Sequence, residues 1–251
     1  MNGIESYSKS LTWFMGLLLV AVAAGCGGGG ESASTGAAPR VAATPSAPSV
    51  VAPATPGAAG AEDKPLADLS AVLGELRKGG FVVYFRHAAT EQSGATDETA
   101  DLTRCETQRN LSSEGRAQAE RIGNAIKTLG IPVGTVAASP FCRTKDTAQL
   151  AFGRLTVNKD LYFVISTDAA ETKRLATALR LMLSTPPAPG TNAVLVSHSA
   201  NLREAAGIFA KPEGAAYVFR PLPDGRFEAV ARILPEEWTS IAKRKDSAAS
   251  R

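Results

Sequence analysis

Residues 81–87 read Phe81-Val82-Val83-Tyr84-Phe85-Arg86-His87. An unbroken apolar run of this length, entered through Gly79-Gly80, predicts a strand buried on both faces of a sheet. A strand of that kind needs helices above and below it, and the flanking sequence supplies them. Leu69, Val72, Leu73 and Leu76 have helical spacing over residues 66–78, and Gly79-Gly80 stops the pattern. Downstream, Ser112 is placed to cap a helix over 113–129 that carries Ala117, Ile122, Ala125, Ile126 and Leu129 and closes at Gly130. A short strand at 135–138 leads into a helix over 143–152. Asp168 and Glu171 have capping-box spacing for a helix reaching 183; residues 193–197 form another apolar strand, followed by a helix over 201–209. Residues 216–222 and 227–234, joined through Pro223-Asp224-Gly225, predict an antiparallel hairpin. Strands alternating with helices give an α/β fold: a three-layer α/β/α sandwich with a mainly parallel sheet.

The composition narrows the function classes. The chain has 251 residues, a formal charge of +3 and 6% aromatics, too little charge and too few stacking rings for a nucleic-acid binder, so no nucleic-acid partner is expected. Three cysteines and two histidines cannot supply a zinc-finger array or a disulfide-dense scaffold, and no metal site is expected. The first residues read as targeting sequence. Lys9 precedes an apolar run over 11–22, shorter than the roughly 18 to 20 residues of a comfortable bilayer span, and Ala23-Ala24-Gly25 lead into Cys26. That layout resembles a bacterial lipobox, with Ala23 where leucine is preferred, and predicts a lipoprotein signal over 1–25 with Cys26 as the lipidation site. An ordinary cleaved signal with an incidental Cys26 is the alternative. Residues 26–64, rich in Ala, Pro, Gly and Ser and without an aromatic, read as a disordered tether. The folded domain is placed at 65–242 and a solvated basic tail at 243–251. The expected location is the bacterial cell envelope, with the chain held at the membrane through its N-terminal lipid anchor.

In parallel sheets ligands bind at the carboxyl ends of the strands. The first strand ends in Arg86-His87, the second is followed by Ser139-Pro140-Phe141-Cys142-Arg143, and another ends in His198. Both histidines of the chain therefore stand at strand ends, in the company of two arginines. A guanidinium offers paired donors that match phosphoryl oxygens, and a neutral imidazole is a competent nucleophile near neutral pH. Arg86, Arg143 and a protonated His198 would stabilise a phosphoryl group while His87 forms a phosphohistidine intermediate, with no cofactor and no metal. Other schemes fit less well. Cys105 and Cys142 lack the cysteine-phosphatase loop, Ser197-His198 lacks a nucleophile elbow, and the histidine spacing misses that of a zinc hydrolase.

The same residues resemble the histidine phosphatase superfamily, which shares its fold with the cofactor-dependent phosphoglycerate mutases. Its Arg-His-Gly-x-Thr motif is matched by Arg86-His87-Ala88-Ala89-Thr90, and its Leu-Ser-x-x-Gly-x-x-Gln-Ala helix start by the segment from Leu111 to Ala119. Its Ser-Pro-x-x-Arg-x-x-x-Thr-Ala is matched by the segment from Ser139 to Ala148, and its Val-x-His by Val196-Ser197-His198. The resemblance implies a phosphoglycerate mutase-like fold and a phosphatase acting on a phosphorylated small molecule or phosphoprotein. It implies His87 as nucleophile, Arg86, Arg143 and His198 completing the phosphate pocket, Thr90 beside it, and Ser93 where relatives carry a phosphate-contacting asparagine.

Two departures stand out. Ala88 replaces the motif glycine, putting a methyl group into the turn beside the nucleophile. Phe163 falls near the register where relatives place a glutamate acid, which leaves Glu171, Asp168 and Glu213 as candidate proton donors; the first two also read as helix caps and Glu213 as a surface residue. These departures keep open a second reading, a catalytically weak or inactive phosphate-binding module tethered to the envelope. The segment 88–110 is long for a connection and is expected to cover the site; Glu91, Asp97, Glu98 and Asp101 either disfavour highly anionic substrates or are solvated charge, the reading favoured, and Arg109 either adds a phosphate contact or, the reading favoured, pairs with that acidic run. In an exported protein, Cys105 and Cys142 either form a disulfide pinning that loop or remain separate thiols.

Overall fold

The structure, a computed structural model, describes residues 66–249 apart from 93, 94, 96, 98 and 99. The signal and tether segments, Cys26 and Ser93 lie outside the described residues. In chain order the elements are α1 (Leu69–Leu76), β1 (Val82–Arg86), α2 (Ser113–Leu129), β2 (Val133–Ala138), α3 (Cys142–Phe152), β3 (Thr156–Val157), α4 (Ala169–Ser184), β4 (Asn192–Ser197), α5 (Ser199–Ala206), β5 (Ala216–Pro221), β6 (Phe227–Ile233) and α6 (Pro235–Ala249).

The strands form a mixed six-stranded sheet in the order β3-β2-β4-β1-β5-β6. β1 pairs in parallel with β4 and antiparallel with β5, β2 runs parallel to both β4 and β3, and β5–β6 is the antiparallel hairpin expected from the sequence. Helices cover both faces. Val83, Phe85, Val194, Val196 and Val218 pack with residues of α1, α2, α3 and α6, whereas Val82, Tyr84, Leu195 and Phe219 pack with Leu179 and Leu183 of α4 and Leu202 of α5. The period-2 split of one uninterrupted run between two cores explains why residues 81–85 show no alternation. Buried Asn192 locks the sheet to α1: its Oδ1 accepts from Phe81 N and its Nδ2 donates to Leu76 O and Pro132 O.

The caps of α2 stand where the sequence puts them, with Ser112 Oγ accepting from Gly115 N at 3.0 Å and Gly130 in the left-handed region at φ 70°. Three expectations are corrected. The helix expected over 201–209 starts directly at Ser199, because His198 is its N-cap, and stops at Ala206 before Gly207. The capping box at α4 is half formed: Asp168 Oδ1 accepts from Glu171 N at 2.8 Å, but the Glu171 carboxylate turns to Arg174. The boundary at 242 and the irregular basic tail are replaced by α6, which continues to Ala249 with Lys243, Arg244 and Lys245 exposed on it. Pro235 opens that helix, Glu237 Oε2 accepts from Leu234 N at 2.6 Å, and buried Trp238 stacks on Phe85 with ring centroids 6.1 Å apart.

Candidate active site

The parallel pairing of β1 and β4 sets Arg86 opposite Ser197, so the next residue of each strand, His87 and His198, emerges at the same sheet edge. His87 N donates to Ser197 O at 3.0 Å, and the two ring centroids lie 5.6 Å apart. Ser139 N donates to Val196 O at 3.0 Å, which brings the end of β2, and with it the start of α3, alongside. Strand register thus brings Arg86, His87 and His198 together, while Arg143 arrives on α3 and Thr90 through its bonds to Glu213.

His87 is buried, and its Nδ1 lies 2.9 Å from Ala88 O. Burial first, and then the Arg143 guanidinium, hold the imidazole well below its ordinary value, so the ring is neutral. A carbonyl can only accept, so the ring proton resides on Nδ1 and Nε2 carries the lone pair.

His198 is fixed from three sides. Tyr84 Oη donates to His198 O at 2.6 Å and accepts from His198 N at 3.1 Å, and burial raises the Tyr84 phenol so that it keeps its proton. Arg143 Nη2 donates to His198 Nδ1 at 3.2 Å, which leaves Nε2–H to donate to Ser139 Oγ at 2.9 Å. Burial, followed by the charge of Arg143, pushes His198 well below its ordinary value. The protonated His198 expected from the sequence is thereby corrected to a neutral ring in this arrangement. Phe163 packs on it at 4.7 Å between centroids, with Phe141 at 5.2 Å, so the position where a glutamate acid was sought holds an aromatic wall.

Each arginine is paired with a carboxylate that the sequence had put elsewhere. Arg143 is fully buried, its guanidinium carbon 4.6 Å from the centre of the Phe141 ring, and its Nη1 donates to Asp97 Oδ1 at 2.6 Å. Arg86 Nη2 donates to Glu213 Oε1 at 2.9 Å. Glu213 also accepts from Thr90 N at 2.9 Å and Thr90 Oγ1 at 3.2 Å, and Arg109 approaches it at 3.6 Å. Glu213 is therefore a member of the site rather than a surface residue, Arg109 pairs with it among the described residues, and Asp97 is not merely solvated charge. Both Arg86 and Arg143 keep a buried Nε without a hydrogen-bond partner among the described residues. The other two candidate donors are occupied elsewhere: Asp168 caps α4, and the Arg174 guanidinium beside Glu171 holds its carboxyl below the ordinary value.

The supports of the pocket are local. Gly115, in the first turn of α2, passes so close to the loop after His87 that a Cβ there would sit 1.8 Å from Ala89 O. Ala88 causes no obstruction: its methyl group joins Leu111 and Ala119 in a small buried cluster, and its N–H donates to Thr147 Oγ1 at 3.0 Å. Cys105 and Cys142 form a disulfide with Cα atoms 5.7 Å apart, and Gln108 Oε1 accepts from Cys142 N at 2.9 Å. The segment carrying Arg109 is thus fastened to the residue beside Arg143. Sequence reasoning passed over Asp97, Gln108 and the role of Ser139; only Ser139, directly after a strand, carried a signal.

Residues 82–161, about a third of the chain, match the histidine phosphatase superfamily (branch 1). No curated protein matches the chain by sequence. Solved structures with similarity include the protein histidine phosphatase SixA complexed with tungstate, 16% identical with a TM-score of 0.45 over 62% of this chain and 97% of that one. A phosphoserine phosphatase from Entamoeba histolytica in complex with 3-phosphoglyceric acid is 15% identical, with a TM-score of 0.46 over 63% of this chain and 98% of that one. A mycobacterial glucosyl-3-phosphoglycerate phosphatase is 15% identical, with a TM-score of 0.44 over 61% of this chain and 100% of that one.

Proposed function

We propose that the chain is a metal-independent phosphatase that hydrolyses phosphomonoesters or phosphoramidates through a phosphohistidine at His87. The observation that carries this reading is the pairing of a buried neutral His87, its lone pair on Nε2, with Arg86 and Arg143 at the same sheet edge. The match of residues 82–161 supports it independently.

In the first displacement the Nε2 lone pair forms a bond to phosphorus as the bond to the leaving group breaks, and that bonding pair departs with the leaving atom. In the second, water attacks the phosphoryl group and the N–P pair returns to Nε2, releasing inorganic phosphate. Catalysis here is mostly positioning and charge stabilisation: Arg86 and Arg143 take the equatorial oxygens, each with donor capacity left at Nε. His198, held neutral between Ser139 and Arg143, belongs to the pocket as a further phosphoryl contact. Thr90 and Ser93 belong to the same reading as substrate contacts.

The cell-envelope location, with Cys26 acylated and residues 26–64 as a spacer, is part of the proposal. Incorporation of labelled palmitate into the wild-type chain, lost in Cys26→Ser, would support it. The activity itself is tested by presenting the purified protein with a panel of phosphomonoesters and phosphoramidates, with and without chelator. Chelator-resistant release of phosphate that His87→Ala abolishes is the expected result; release requiring an added divalent cation contradicts it.

A further inference from the structure

Displacing an alkoxide from phosphorus requires a proton for the departing oxygen, and neither His87 nor His198 is in a state to give one. Of the carboxylates at the pocket, Glu213 is a poor source. Its two oxygens already accept from Arg86, Thr90 N and Thr90 Oγ1, with Arg109 close by, so the carboxylate is held in place by contacts it would have to give up. Asp97 is different. Among the described residues its carboxylate has one hydrogen-bond partner, Arg143 Nη1, and its backbone is held separately, Asp97 O accepting from Ser166 Oγ at 3.2 Å. Removing the Arg143 contact therefore frees the carboxylate without releasing the residue.

We propose that Asp97 is the proton donor and acceptor of this site, brought to bear by exchange at Arg143. This rests on the phosphatase reading above. Asp97 and an incoming phosphoryl group need the same guanidinium. When the phosphoryl oxygens take Arg143, the carboxylate loses its counter-charge and faces a second anion in a space walled by Phe141 and Phe163. Two like charges in such a space do not both stay ionised, so Asp97 takes up a proton beside the leaving oxygen. As the P–O bond breaks, its electron pair goes to that oxygen, the Asp97 proton moves onto it, and the alcohol leaves with Asp97 ionised. In the second displacement the Asp97 carboxylate removes a proton from the attacking water as the N–P bond returns its pair to Nε2. Asp97 ends protonated, as it was in the substrate complex, and returns that proton to solvent when phosphate leaves and the Arg143 pair re-forms, so protons and electrons balance.

A general acid matters in proportion to how poor the leaving group is. The test compares Asp97→Asn and Asp97→Ala with the wild type on two substrates, an alkyl phosphate and the activated p-nitrophenyl phosphate, with acid-quench labelling of His87 alongside. Both variants are expected to lose about 10²-fold in kcat/KM, which reports only the first displacement, on the alkyl phosphate and only a few-fold on the nitrophenyl ester. The ratio of the two rates in one sample does not depend on the folded fraction, so impaired folding cannot mimic the pattern. An equal loss on both substrates, or a gain on both from unblocking Arg143, overturns the assignment of Asp97 while leaving the phosphohistidine reading intact. A wild type that neither turns over nor labels at His87 overturns that reading and this one with it.

Discussion

The Nδ1 of His87 lies 2.9 Å from the carbonyl oxygen of Ala88, its own neighbour in the chain, and this contact fixes which ring nitrogen is free to react. Burial and Arg143 keep that ring neutral well below its ordinary value of 6.5. As pH falls through 6.5 the fraction of reactive imidazole therefore stays constant. The expected kcat/KM profile has no His87-type acid limb near pH 6.5; a limb centred there in the wild type would contradict the burial argument.

Stability, unlike activity, should respond to pH in this same region. His87 and His198 both resist protonation in the folded chain but accept protons in the unfolded one near the ordinary value of 6.5. Below that value the unfolded state binds more protons, so stability is complete above about pH 6.5 and declines as pH falls. Urea denaturation between pH 7.5 and pH 5 should show this decline, and a double variant with both histidines replaced by Gln should show a shallower one. Parallel curves would contradict the assignment.

The Cys105–Cys142 bond closes a loop that begins beyond the acidic segment and ends beside Arg143. Reduction, or replacement of both cysteines by serine, should lower the unfolding free energy by about 2–4 kcal/mol. Because the bond also anchors the segment bearing Arg109 to α3, KM for a phosphoester should rise more than kcat falls. Denaturation with and without reductant, paired with steady-state kinetics, checks both statements.

Gly115 is required by proximity rather than by backbone angle. An alanine there would drive its methyl group into the carbonyl of Ala89, two residues after His87. Gly115→Ala should cost about 1–3 kcal/mol, the usual range for overpacking, and should lower activity by displacing the His87 loop. Gly74→Ala, where the added Cβ meets nothing within 4 Å, is the control expected to leave activity intact.

What was legible in the sequence was what neighbours determine. The apolar run at 81–85, the caps Ser112 and Gly130, and the two histidines at strand ends all rest on signals within a few residues. The carboxylate partners were not legible, because they depend on how the chain folds back. Arg86 meets Glu213 across 127 positions, and Arg143 meets Asp97 across 46. The missed continuation of α6 has the same origin: residues 243–245 look like a polar tail, but Trp238 stacked on Phe85 holds the helix that carries them. Phe163 lies against the Arg143 guanidinium, and nothing local in the sequence indicated that Asp97 would pair with the same group.

The central claim is a covalent phosphoryl group on His87. It is tested most directly by acid-quenched incubation of the purified protein with a 32P-labelled phosphoester, followed by peptide mapping. The account predicts acid-labile, base-stable label on the peptide containing His87, appearing before steady-state turnover and absent from His87→Ala. Turnover without any label at His87, or turnover that survives in His87→Ala, would contradict it.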